Sequence, residues 1–147
     1  LGLVAACDIA IASDKAVFAT SEVKFGLIPA TIGPYVLRAI GPRQAARYFL
    51  TAELIQPAKA YEIGLVHEVV ADDALDATID TLVRALAQGG PNAQAESKRL
   101  IRDLDGQTIG DALIADTAAR IAGIRATDEA RERLDAFLSA RRAKDAR

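Results

Sequence analysis

The sequence predicts a mixed α/β chain in which short strands come first, over residues 1–70, and helices follow, over residues 71–147. Three observations carry that reading. Alanine and β-branched residues crowd the opening LGLVAACDIAIASDKAVFAT, where the turn residues Ser13 and Asp14 separate two apolar runs. Glycine and proline then punctuate residues 21–64 at intervals suited to short helices and loops. From Asp72 onward the apolar positions recur at helical spacing. No internal repeat, low-complexity tract or linker interrupts the order.

Element by element, DIAIAS and AVFAT predict two short strands joined at Ser13 and Asp14. LGLVAAC is too short for periodicity to choose between a third strand and a buried helix. SEVKFGLIPATIG, with two glycines and a proline, predicts mostly loop. Pro34 then starts the helix PYVLRAIG, which Gly41 ends, and Pro42 opens the next, PRQAARYFLTAE. Pro57 opens PAKAYEIG, stopped at Gly64, and LVHEVV is a compact strand. In DDALDATIDTLVRALAQ the apolar positions 75, 79, 82, 83 and 86 form one stripe, closed by Gly89 and Gly90. PNAQAESKRLIRDLD follows, then a helical pattern from Ile109 to Ile124. A last helix, TDEARERLDAFLSARRAKDAR, has Thr127 and Asp128 at its N-cap.

Composition narrows the class. A chain of 147 residues is long enough for one domain with a core. Hydrophobic residues make up 51%, yet no apolar run approaches the ~18 residues of a membrane span. Lys plus Arg number 18 against 20 Asp plus Glu, a net charge of -2, which gives no support to a nucleic-acid partner. One cysteine cannot form an internal disulfide, and no signal peptide is visible, so a soluble, cytoplasmic protein is expected. The absence of methionine and the apolar opening predict the downstream piece of a longer protein.

Few residues carry chemistry. Cys7 and His67, 60 positions apart, do not make a metal site. His67 reads as a strand residue with a satisfied ring, and Cys7, among Ala5, Ala6 and Ile9, as core. No dinucleotide or Walker glycine pattern is present. Arg141, Arg142 and Lys144 read as a solvated helix end favoured by the helix dipole; the alternative is a contact to a ligand phosphate. Glu22, in ATSEVKFGLIPA, is bordered by Val23, Phe25, Leu27 and Ile28. A carboxylate partly stripped of water suits proton transfer, but a loop acid or helix cap is the ordinary reading of one at this spacing. Composition does not settle it.

The ordered series GLVAACDIAIAS, AVFATSEVKFGLIPA, RYFLTAELIQPAKAYEIGLVHEVV and TDEARERLDAFLSARR closely resembles the crotonase family, the enoyl-CoA hydratase/isomerase superfamily. Glu22 stands fourteen residues after Asp8 and is followed by the Gly26-x-Ile28-Pro29 pattern, a specific combination. The resemblance implies a ββα spiral, whose C-terminal part is residues 1–70, followed by a helical trimerisation region. It turns Leu1 to Cys7 into a short helix. It implies trimers or hexamers, an acyl-CoA thioester substrate and no cofactor beyond the coenzyme A that the substrate carries. Glu22 falls on the family's catalytic glutamate, and two backbone N–H groups upstream of Leu1 would polarise the thioester carbonyl, so the 147 residues alone should be inactive.

Two departures stand out. Family hydratases usually carry a first glutamate at the position of Gly2, and the turn IPATIGPY is one residue shorter than its usual counterpart. The combination looks most like branches that hydrate branched or carboxylated enoyl-CoAs, such as methylglutaconyl-CoA hydratase-like proteins. Ile32, Pro34 and Tyr35 are candidate substrate-wall residues, with ordinary packing the alternative. A family lysine that meets the CoA adenine is replaced near Ala140, while Phe137 matches an aromatic there. Three functions follow: an enoyl-CoA hydratase, an enoyl-CoA isomerase working with one glutamate, or a non-catalytic acyl-CoA-binding subunit.

Overall fold

Pairing between distant strands organises the first part of the chain. In the computed structural model, which describes residues 1–145, β1 (Ile11–Ser13) runs parallel to β2 (Glu68–Val70). Ile11 lies opposite Glu68, Ala12 opposite Val69 and Ser13 opposite Val70. Backbone bonds continue the pairing past both ends: His67 N–H donates to Ala10 O at 2.7 Å and Asp14 N–H to Val70 O at 2.8 Å. His67 also accepts the Ala10 N–H on Nδ1 at 3.1 Å, so its ring is satisfied. LVHEVV thus contributes only three residues to the strand, while Leu65 and Val66 are buried in the core.

The hairpin expected from DIAIAS and AVFAT does not form. Phe18 instead makes a single antiparallel bridge to Ile55, with N–H···O distances of 3.1 and 2.8 Å. Alternating small and β-branched residues mark extended backbone but do not name its partner, and parallel neighbours require a long connection.

The chain falls into two compact units, Leu1–Leu82 and the residues from Val83 onward. In the first, α1 (Gly2–Ala6) packs against α2 (Gly33–Thr51). Gly41 breaks α2 with φ 72° and ψ 164°, a conformation in the left-handed half of φ that glycine adopts without a Cβ clash. Pro34 and Pro42 therefore each begin a helical segment, as their spacing predicts. α3 (Pro57–Glu62) follows. Val36, Ile40, Ala45 and Tyr48 of α2 meet Ala12, Ile55, Ala60, Leu65 and Val66 in one core. Cys7 is not part of it: α1 stops at Ala6, and Cys7 stands exposed with its thiol donating to Leu3 O at 3.2 Å. Beside the sheet, Asp72 accepts from Ser13 Oγ at 2.5 Å and from Lys15 Nζ at 2.9 Å.

α4 (Leu75–Ala87) crosses the division, and α5 (Pro91–Leu104), α6 (Asp111–Arg125) and α7 (Asp128–Asp145) belong to the second unit. Glu129 of α7 accepts the Asn92 and Ala93 N–H groups at the start of α5, both at 3.1 Å. One turn on, Arg133 donates to Gln88 O at 2.8 Å and Gly89 O at 3.1 Å, just past the end of α4. One face of α7 thus partners two N–H groups in the first turn of α5 and two carbonyls just beyond α4. Arg120 of α6 bridges Asp103 at 2.6 Å and Asp116 at 2.7 Å. Thr127 caps α7, its Oγ1 accepting the Ala130 N–H at 3.3 Å. Among the described residues no helix is long and apolar enough to cross a membrane.

Candidate functional site

Glu22 opens a 3-10 turn, Glu22–Phe25, within the stretch expected to be loop. Backbone bonds at its two ends fix it: Lys24 N–H to Ser21 O at 3.0 Å, Gly26 N–H to Val23 O at 3.2 Å and Leu27 N–H to Glu22 O at 3.0 Å. Gly26, at φ 69°, closes the turn in the left-handed conformation that glycine tolerates best. Upstream, buried Thr20 donates its hydroxyl to Tyr48 O at 2.9 Å, which ties the approach to Glu22 onto α2.

The surroundings of Glu22 are unusual for an acid. Phe25, Leu27 and Ile28 stand 75%, 62% and 77% exposed, an apolar rim on the turn itself. The Glu22 side chain is half-buried, and its Oε2 is shielded from water with no hydrogen-bond partner. A carboxylate oxygen in that state costs stability that one donor would recover. Ser21, not Glu22, occupies the cap position of the turn, so Oε2 holds no helix end. That oxygen is committed to no other group among the described residues.

The chain then turns twice, through Ala30 N–H to Ile28 O and Gly33 N–H to Pro29 O, both at 2.8 Å, before α2 begins. α2 packs against the Glu22 turn. Ile32 is its half-buried cap residue, Pro34 sits exposed in its first turn and Tyr35 is 48% exposed. Glu22, Ile32, Pro34 and Tyr35 are thus on neighbouring elements of the first unit. Phe137 stands exposed on α7 in the second unit, with Arg141, Arg142 and Lys144 exposed on the same helix. Among the described residues no group of three or more His, Cys, Asp or Glu side chains is placed to hold a metal. Sequence reasoning missed Thr20: its role depends on a carbonyl twenty-eight residues away, and a threonine before an acid gives no local signal of that.

The fold has close counterparts. A solved enoyl-CoA hydratase/isomerase (crotonase) from Legionella pneumophila superposes with a TM-score of 0.91 at 45% identity, covering 95% of this chain and 54% of that one. An enoyl-CoA hydratase from Shewanella pealeana gives 0.89 at 44% identity, over 95% of this chain and 52% of its own. Among curated relatives, an enoyl-CoA hydratase of Alternaria alternata is 39% identical over 103 residues, 69% of this chain and 35% of the relative. The chain spans about half the length of these solved structures and about a third of that relative. The sequence pattern of the family described as enoyl-CoA hydratase/isomerase matches residues 1–144, through the Glu22 turn, the sheet and the C-terminal helices alike. By that match and those superpositions the chain belongs to the enoyl-CoA hydratase/isomerase family and carries part of the crotonase fold.

Proposed function

We propose that the full protein adds water across the 2,3 double bond of an acyl-CoA thioester, with Glu22 as the group that carries the proton. The carrying observation is the solvent-shielded, unpartnered Oε2 of Glu22 on a turn rimmed by Phe25, Leu27 and Ile28. In this reading two backbone N–H groups from the segments before Leu1 polarise the thioester carbonyl and hold the enolate charge that develops. Glu22 then delivers or removes the proton at carbon. Ile32, Pro34 and Tyr35 line the acyl group, which is branched or carboxylated, and Phe137 meets the adenine end of the coenzyme A carried by the substrate. The working form is a trimer or hexamer in the cytoplasm. Glu22→Gln in the full-length protein should lower kcat by about 10²–10⁴-fold. Full activity in that variant would end the proposal.

A second reading, double-bond isomerisation, is favoured by Gly2, where the family resemblance expects the first of two glutamates. Two carboxylates hold a water between them; one suffices to take a proton and return it. Product mass separates the two readings. A 2-enoyl-CoA that gains one water marks a hydratase, and a 3-enoyl-CoA converted without a change in mass marks an isomerase.

A further inference from the structure

Within the second unit, α7 is clasped near its start. Each oxygen of the Glu129 carboxylate accepts one backbone N–H, Oε2 from Asn92 and Oε1 from Ala93, both at 3.1 Å. Four residues on, the Arg133 guanidinium spreads across two carbonyls, Nη1 to Gln88 O at 2.8 Å and Nη2 to Gly89 O at 3.1 Å. Two ionised side chains thus grip one short turn, residues 88–93, by charge-assisted bonds. The turn has room for them because residue 90 is glycine. A Cβ there would meet Glu129 Cδ at 2.8 Å and Arg133 Nε at 3.1 Å, with Glu129 Oε1 nearer still. Gly90 has extended backbone, φ −73° and ψ 127°, which alanine also adopts, so space and not conformation calls for the glycine. Beyond the clasp, every residue from Leu134 to Lys144 is exposed, and the direction of α7 is set where it is held. Glu129, Arg133 and Phe137 follow one another at four-residue steps, each about 40° further round the helix. One stripe therefore carries both the clasp and the exposed aromatic ring.

We propose that Glu129 and Arg133 are positioning residues for the coenzyme A end of the substrate: by fixing the course and rotation of α7 they aim Phe137 at the adenine. The inference rests on the reading of Phe137 as the residue that meets that base. Stacking of a ring on a base is short-ranged and depends on their relative orientation, so a helix free to turn or fray loses it. A helix pinned through its second turn has less freedom to give up when the ring meets the base. The clasp therefore contributes affinity by preorganisation, without touching the ligand. The adenine lies far along the coenzyme from the reacting carbons and is held equally before and during the reaction. Loss of the clasp accordingly raises KM and leaves kcat in place.

The test uses the full-length protein with the enoyl-CoA it turns over and with the same enoyl group on N-acetylcysteamine, a thioester that keeps the reacting atoms and lacks the nucleotide. Gly90→Ala pushes the far ends of two flexible side chains off the turn without removing a charge. Arg133→Ala removes one half of the clasp and leaves Glu129 on the start of α5. Each should raise KM for the CoA thioester about fivefold or more, with kcat held and the kinetics of the short thioester unchanged. Phe137→Ala should raise KM for the CoA thioester in the same way, and adding Gly90→Ala to it should cost nothing further. If Phe137→Ala is impaired on the CoA thioester but neither clasp variant is, the positioning role is overturned and Phe137 keeps its place at the adenine. An unimpaired Phe137→Ala overturns that reading and the proposal with it. Equal losses on both thioesters mark a general loosening of the fold and also overturn the proposal. Should one clasp variant fail to fold, the other decides by the same comparison.

Discussion

An unpartnered carboxylate oxygen and a buried hydroxyl lie two residues apart, at Glu22 and Thr20, with opposite effects on stability. Glu22 carries the desolvation cost of Oε2, so Glu22→Gln should melt no lower than the wild type even as activity falls; a clear drop in Tm would show that the acid holds the turn together. Thr20 is different. Thr20→Val keeps the shape and loses the bond to Tyr48 O, and urea unfolding should register a loss of about 1 kcal/mol. The apolar neighbours of Glu22 leave a loop acid or helix cap as its ordinary reading in the sequence, and the family resemblance alone singles it out. The bond from Thr20 to Tyr48 O is not legible there, because only the fold brings that hydroxyl to a carbonyl twenty-eight residues away.

Helix ends supply the predictions at the next scale. Glu129→Ala removes the acceptor for Asn92 and Ala93 N–H. The first turn of α5 should then exchange its amide hydrogens faster, with a stability loss of about 0.5–2 kcal/mol. Exchange at Asn92 and Ala93 no faster than in the wild type would show that water caps this end equally well. Asp72 ties the end of β1 to the turn after β2. The hydrogen bond from Ser13, and then the bond and charge of Lys15, hold its carboxyl below the ordinary aspartate range. A depressed value stabilises the folded chain fully above the ordinary value, and the benefit disappears as pH falls through the depressed one. Asp72→Asn should therefore flatten the acid limb of the stability–pH curve, an outcome checked by chemical denaturation between pH 2 and pH 6. Helices were the readable elements. Pro34, Pro42 and Pro57 mark starts, Gly41 marks the break in α2, and Thr127 caps α7. These signals act within a turn of where they are written. The false hairpin at Ser13 and Asp14 shows the limit: local pattern identified extended backbone at β1, but its partner lies more than fifty residues away.

For the molecule as a whole, the helical unit carries much of its hydrocarbon on the outside. None of α4, α5 or α6 contains a buried residue, and Ile114 and Ile121, one heptad apart on α6, are 57% and 58% exposed. Faces of this kind support the proposed association of copies. Replacing both isoleucines by aspartate in the full-length protein should shift its mass in sedimentation from trimer or hexamer toward monomer; an unchanged mass would place the contact elsewhere. The parallel pairing of β1 with β2 has a consequence during synthesis. β1 leaves the ribosome first, and its partner follows more than fifty residues later. At about 5–20 residues per second, β1 waits roughly 3–11 s for β2. Through that interval the edge that β2 will cover stays open, while Val36 and Ile40 of α2, already emerged, can meet Ala12 in the core.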